Sequence, residues 1–183
     1  MMLPLAFNFK DRRTLVLGAG KVAAHKARQL LDVGASVDVI AEAVTAELPP
    51  GIGSLSLRRF ASGDLNDYWL VVSAIGDPLV NDLVVDEASR LHIWLNVVDD
   101  PARSGFFFTA LHRDGDIVVS VSTQGSSPAL AQALRNIVAE SLPKNASRVA
   151  QQLRDERRLV HLAGGSTENI DWHQRVESLL RDS

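Results

Sequence analysis

The chain has no cysteine, no basic excess and no long apolar run, and each absence removes a class of function. Zero cysteines among 183 residues exclude disulfides, thiolate catalysis, iron–sulfur clusters and cysteine-ligated zinc. A formal charge of −3 supplies no general positive field, so no nucleic-acid partner is expected. No segment reaches the roughly 18 apolar residues of a membrane span, and the run near Met1 is too short for a signal peptide. No membrane partner is therefore expected, and the expected compartment is the cytoplasm, which the lack of cysteine fits. His25, His92, His112, His161 and His173 stand at none of the usual metal-ligand spacings, so no resident metal site is expected. There is no internal repeat. What remains is an ordinary apolar fraction of 46%, enough for one domain with or without an appendage.

Thr14-Leu15-Val16-Leu17-Gly18-Ala19-Gly20-Lys21-Val22-Ala23 carries most of the information. It reads as an apolar strand, a glycine turn and a helix start. Gly18, Gly20 and Ala23 occupy the small positions of the fingerprint G-x-G-x-x-G/A. Gly18 permits the tight turn, Gly20 removes a side chain that would block a pyrophosphate, and Ala23 lets helix and strand pack closely. The anion would meet unpaired N–H groups at the positive end of the helix. Glycine-rich turns also serve purely structural ends. Here the strand before and the helical spacing of Val22, Ala23, Ala27, Leu30 and Leu31 after supply the binding context.

Along the chain, strands are predicted at 14–17, 36–41, 55–60, 68–74 and 93–98, and helices at 22–33 and 79–90, with a short helix at 43–48. This alternation predicts an α/β fold with a Rossmann-like parallel sheet. After Pro101 the pattern changes. Strands are predicted at 105–110 and 116–123, separated by His112-Arg113-Asp114-Gly115. A helix capped by Ser127 follows to about Leu142, then helices over about 146–163 and 170–180. The expected division is 1–104 as the dinucleotide-binding domain, 105–142 as a small α+β module for substrate or dimerisation, and 143–183 as a short helical C-terminal region.

Cofactor choice is read at the end of the second strand, where an acid about 20 residues beyond the glycines binds the ribose. Asp38 has that count but sits mid-strand, whereas Glu42 lies at the strand end. With no arginine nearby in sequence to accept a 2′-phosphate, the expected cofactor is NAD. A solvated loop charge is the other reading of Glu42.

Asn96-Val97-Val98-Asp99-Asp100-Pro101, Ser104-Gly105-Phe106 and Ser122-Thr123-Gln124-Gly125-Ser126-Ser127-Pro128 add ordered matches to the glycine turn. On these motifs, from Leu3-Pro4-Leu5 to about Leu142, the chain resembles the precorrin-2 dehydrogenase / sirohydrochlorin ferrochelatase family, including the N-terminal part of siroheme synthase. The resemblance implies a Rossmann domain, an intertwined homodimerisation region and a small helical C-terminal part. It implies NAD-dependent oxidation of precorrin-2 to sirohydrochlorin, with Fe²⁺ insertion as a second activity. The cofactor-binding positions are then Gly18, Gly20, Lys21, Val22, Ala23, Glu42, Ala43 and Ala74. Ala74-Ile75-Gly76-Asp77-Pro78 departs from the family's A-[AT]-[TN]-[DN]-[DP], leaving a backbone contact but no side-chain contact from Ile75. Asp99 is the candidate catalytic base; turn-capping before Pro101, by it or by Asp100, is the competing reading. Asp100 is also a possible source of the charge that would raise Asp99.

The substrate class bears eight carboxylates. Ser122, Thr123, Gly125 and Ser126 lie before a helix N-terminus and are the candidate substrate contacts. Lys21, Arg28, Arg135, Arg148, Arg154, Arg157 and Arg158 are available cations, although a solvated helix face explains the last three better than a clamp. Phe106, Phe107 and Phe108 fit an apolar strand of a dimer core better than a macrocycle platform. The runner-up function is a non-catalytic NAD-binding regulatory or sensing module.

Overall fold

The computed structural model describes residues 3–181 and divides into two compact units between Phe107 and Phe108. In the first unit, five parallel strands are β1 (Arg13–Leu17), β2 (Ser36–Ala41), β3 (Ser54–Leu57), β4 (Leu70–Ser73) and β5 (Trp94–Val97). They lie in the order β3-β2-β1-β4-β5, so the chain reverses its direction of growth between β1 and β4. That switch point is where an open α/β sheet binds ligands. Helices α1 (Lys21–Leu31) and α2 (Pro78–Leu91) supply the crossovers. The Rossmann-like reading therefore holds.

The inner strands are buried residue after residue, as expected for strands covered on both faces. Leu15, Leu17, Ile40, Leu65, Val71, Val84, Leu95 and Val97 form one core cluster. Asp77 caps α2 by accepting from Leu79 N–H at 2.9 Å, with Pro78 at the first helical position where its missing N–H costs nothing. His92 ends the helix in a left-handed conformation.

Two expected elements differ in this unit. Residues 43–48 form no helix, because the Thr45 and Ala46 N–H groups both donate to Ala19 O, at 3.0 and 3.2 Å. Those donors tie the segment to the glycine turn instead of building an i→i−4 ladder. Residues 105–109 form no strand. Gly105 N–H bonds Leu95 O at 2.8 Å, and Phe106 O accepts from the Asn96 amide at 3.0 Å.

The second unit opens with an antiparallel hairpin, β6 (Ala110–Asp114) and β7 (Ile117–Val121). Its turn is the two-residue Gly115-Asp116, since Asp114 pairs with Ile117; His112 to Asp114, expected in the turn, are strand. Helices α3 (Pro128–Ser141), α4 (Ala146–Leu162) and α5 (Trp172–Arg181) follow. Ser127 caps α3 by accepting from Leu130 N–H at 3.2 Å. No helix among the described residues is long and apolar enough to cross a membrane.

Candidate functional site

The carboxyl ends of β1, β2, β4 and β5 bring several of the sequence-selected residues of the first unit to one sheet edge. Gly18 follows β1 with φ +104°, a conformation that disfavours any L side chain. A Cβ there would lie 3.0 Å from the Ala74 carbonyl oxygen. The turn is closed on one side by Gly18 N–H to Ile40 O at 2.8 Å, while Ala74 N–H bonds Leu17 O at 2.8 Å. Gly20 stands at the cap position of α1 with no side chain to fill the cradle, and a Cβ on it would meet the Thr45 hydroxyl at 3.4 Å. Lys21, Val22 and Ala23 make the first turn of α1, where N–H groups lack intrahelical acceptors. Lys21 and Val22 are exposed and Ala23 is buried against the sheet. No acid stands in that turn, so the positive helix end is open to an anion. A dinucleotide pyrophosphate fits this cradle.

Glu42 and Ala43 follow β2, both exposed. Glu42 does not stand alone, as it was expected to. Its Oε2 accepts from Arg59 Nε at 3.1 Å. The arginine comes from the far end of β3, 17 positions away, which parallel pairing of Ala41 with Leu57 brings alongside. Asp38 is spent elsewhere: its carboxylate accepts from Ser54 Oγ at 2.7 Å, Tyr68 Oη at 2.9 Å and Arg13 Nη2 at 3.2 Å. Burial works to raise this carboxyl, but those three bonds outweigh it and hold it below its ordinary value.

Asp99 lies two residues beyond β5, exposed, with φ +60°. Aspartate tolerates that left-handed region better than most residues. Turn-capping before Pro101 belongs to its neighbour. Asp100 accepts from Arg103 N–H at 3.2 Å and from Arg103 Nη1 at 2.8 Å, and Arg103 also donates to Asp82 at 2.6 Å. The Arg103 hydrogen bond holds the Asp100 carboxyl below its usual range. Asp100 is thus a compensated charge and does not serve as the expected source of repulsion for Asp99. The nearby cation is Lys26 on α1: burial lowers its ammonium pKa, and the charge of Asp99 partly opposes that.

Three further residues shape this edge without having been named as site candidates from the sequence. Ser104 accepts from Val97 N–H at 3.0 Å, and its hydroxyl lies 2.8 Å from Asp100 O, stitching the Asp99 turn to β5. Buried Asn81 accepts from Ser73 Oγ at 2.6 Å and donates to Ile75 O at 2.9 Å, which fixes the loop carrying Ala74. Ile75 itself packs against the core cluster, accounting for an apolar residue there. Thr45, set against Gly20, is the third. Only Ser104 left a sequence signal, through its Ser-Gly-Phe context.

A family model described as "Putative NAD(P)-binding" matches residues 5–110. The chain belongs to this family. Its relatives include the siroheme synthase of Tolumonas auensis, 39% identical over 150 residues that span 81% of this chain and 32% of that one. Siroheme synthase 2 of Aeromonas hydrophila is 34% identical over 206 aligned positions, 98% of this chain and 43% of that one. The chain therefore spans between about a third and two fifths of the length of these curated relatives. The resemblance read from its motifs is shown by the same relatives. Among solved structures it is similar to "SirC, precorrin-2 dehydrogenase", with TM-score 0.69 at 23% identity, over 99% of this chain and 88% of that one; that likeness shows the fold.

In the second unit of this NAD(P)-binding family member, the loop before α3 is braced by its own hydroxyls. Ser122 Oγ accepts from Gln124 N–H at 3.1 Å, and Thr123 Oγ1 accepts from Ser127 N–H at 3.1 Å and donates to Ser127 O at 3.0 Å. Gln124 and Gly125 both have positive φ, and Ser126 is exposed. Of the cations considered for a carboxylate rim, Arg135 donates to Leu111 O at 2.8 Å. Arg154 pairs with Asp116, Arg158 with Asp155, and Arg157 lies over the Trp172 ring. Among the described residues, no group of three His, Asp or Glu side chains is placed to hold a metal ion.

Proposed function

We propose that this chain oxidises precorrin-2 to sirohydrochlorin with NAD⁺, and that Asp99 is its proton acceptor. One observation supports the reading most: Gly18, Gly20, Glu42 and Ala74 share the carboxyl edge of the sheet with Asp99, around the switch between β1 and β4. NAD⁺, when bound, accepts a hydride. The chain's own residues do the rest. Gly18 and Gly20 leave space for the pyrophosphate, the N–H groups of Lys21, Val22 and Ala23 bind it, and Ala43 and Ala74 line its flanks through their backbones. Glu42 accepts from the ribose hydroxyls. Oxidation removes two hydrogens from the macrocycle, and the one that leaves as a proton would pass to the Asp99 carboxylate.

The name of the solved neighbour supports the substrate. Insertion of Fe²⁺, a substrate here, requires two pyrrole N–H protons to leave, and the same carboxylate would receive them one at a time, releasing the first to solvent before taking the second. In the second unit, Ser126 and Gly125, on the loop braced by Ser122 and Thr123, offer one substrate carboxylate the N-terminus of α3. The apolar stripe Leu130, Leu134, Ile137 and Val138 on α3 is exposed at 39–63% and supports homodimerisation, with a second copy covering it.

The test is anaerobic turnover of precorrin-2 with NAD⁺, following NADH and the macrocycle spectrum together. Asp99→Asn is expected to lower kcat by about 10²-fold or more while the Kd for NAD⁺ stays within about twofold. NAD⁺ binding with no precorrin-2 oxidation by the unaltered chain would leave a nucleotide-sensing module in place of the dehydrogenase.

A further inference from the structure

We propose that Arg59 is a latent 2′-phosphate contact held by Glu42, so that this single ion pair sets the choice between NAD and NADP. The inference rests on the dinucleotide reading above and concerns the same strand end. Two arginines follow β3, and the structure gives them different tasks. Arg58 is committed: its backbone N–H bonds Ala41 O at 2.9 Å, and its guanidinium makes a two-pronged contact with Asp64 at 2.6 and 2.7 Å. That fastening holds the β3 exit against the end of β2. Arg59 is left projecting beside Glu42, its side chain 83% exposed and that of Glu42 65% exposed. Only Arg59 Nε is engaged, at 3.1 Å from Glu42. Its two terminal amino groups have no hydrogen bond among the described residues.

The chemistry of the two cofactors differs only at this point. With NAD the ribose presents a diol, whose hydroxyls donate to a carboxylate such as Glu42. With NADP a phosphate replaces one hydroxyl, so Glu42 repels it while a guanidinium binds it through paired N–H···O bonds. An exposed ion pair contributes little to stability and opens readily. Glu42 can therefore turn to the diol without Arg59, or Arg59 can turn to a phosphate without Glu42. The Thr45 and Ala46 bonds to Ala19 O keep this strand exit against the glycine turn, so a cofactor seated on the turn presents its ribose to the pair.

The experiment is calorimetric titration of the whole chain with NAD⁺ and with NADP⁺, read as the ratio of their dissociation constants. The unaltered chain is expected to bind both, NAD⁺ more tightly. Arg59→Ala should raise the NADP⁺/NAD⁺ ratio about tenfold or more, with Arg59→Lys recovering part of that, and Glu42→Gln should lower it about tenfold. Arg12→Ala removes an equal charge from a residue stacked on Trp69 and should leave the ratio unchanged. NAD⁺ binding with a ratio that Arg59→Ala leaves within twofold overturns the inference alone. An equal change in Arg12→Ala also overturns it, assigning the effect to net charge. Absence of NAD⁺ binding by the unaltered chain overturns the dinucleotide reading and this inference with it.

Discussion

The first unit closes a core of large apolar side chains while leaving others, such as Leu57 and Leu79, exposed, whereas the second buries few apolar side chains among the described residues. Leu15, Val16, Leu17, Val37, Val39, Val71, Val72 and Val84 are wholly inaccessible in the first. In the second, the buried apolar residues among those described are Ala131, Ala146, Val149 and Leu179, mostly small. Leu130, Leu134, Ile137 and Val138 meanwhile recur at helical spacing on the open side of α3. A five-stranded parallel sheet with crossover helices closes a core by itself. The two-stranded hairpin gains its support from α3 packed against it, and the open side of that helix stays exposed. The open side of α3 is the face that the proposed second copy would cover.

The largest effect should come from cutting into the closed core. Leu15→Ala is expected to cost about 2–5 kcal/mol in denaturant unfolding, because the surrounding strands cannot collapse onto the space. A cost below about 1 kcal/mol would mean that the first unit is packed no better than the second, and the contrast would fail. In the second unit the corresponding substitution is Ile137→Glu on the 63% exposed position. It should change monomer stability by no more than about 0.5 kcal/mol yet shift the sedimenting species from dimer to monomer. An unchanged sedimentation coefficient would show that α3 is not the covered face.

These two regions were also unequally legible. In the first unit, β2 begins and ends where the sequence placed it, at Ser36 and Ala41, and the glycine turn falls at the switch point. Local pattern and tertiary need coincide there. Legibility stopped where a residue's role depended on a partner distant in sequence. Arg59 reaches Glu42 only through the parallel register of β2 and β3, and no count along the chain reveals it. Residues 43–48 have helix-compatible composition, but their N–H groups are used by Ala19, a demand set outside the segment. Residues 105–109 look like an apolar strand, yet Leu95 and Asn96 take their backbone groups. As caps for the turn before Pro101, Asp99 and Asp100 were equivalent in the sequence until Arg103 claimed the second. Around the second unit, the serine loop before α3 was located correctly, but that Ser122 and Thr123 turn their oxygens inward to brace it is visible only in three dimensions.

The smallest effect concerns a polar fastening that only the first unit has. The chain holds one tyrosine, Tyr68, whose hydroxyl donates to Asp38 at 2.9 Å. Burial, then the hydrogen bond and charge of Asp38, push its phenol up to about 12, against the opposing influence of Arg13. A phenol whose folded pKa exceeds its unfolded value of about 10 stabilises the fold fully below pH 10. That contribution fades as pH rises through the folded value. Asp38 works at the other end: held below its ordinary value, it stabilises the fold above about pH 4 and loses that contribution as the carboxylate protonates. Glu156 in the second unit, held low by its hydrogen bond from Arg175, shares the acid limb. The alkaline limb belongs to the first unit alone. Because no second tyrosine contributes, tyrosinate absorbance reads Tyr68 directly. Its midpoint should lie near about 12 in the native chain and near about 10 in denaturant, with Asp38→Asn bringing the native midpoint down toward the denatured one. A native midpoint already at about 10 would mean that the phenol faces water, and that the strand entrances of the first unit are no better fastened than the open face of the second.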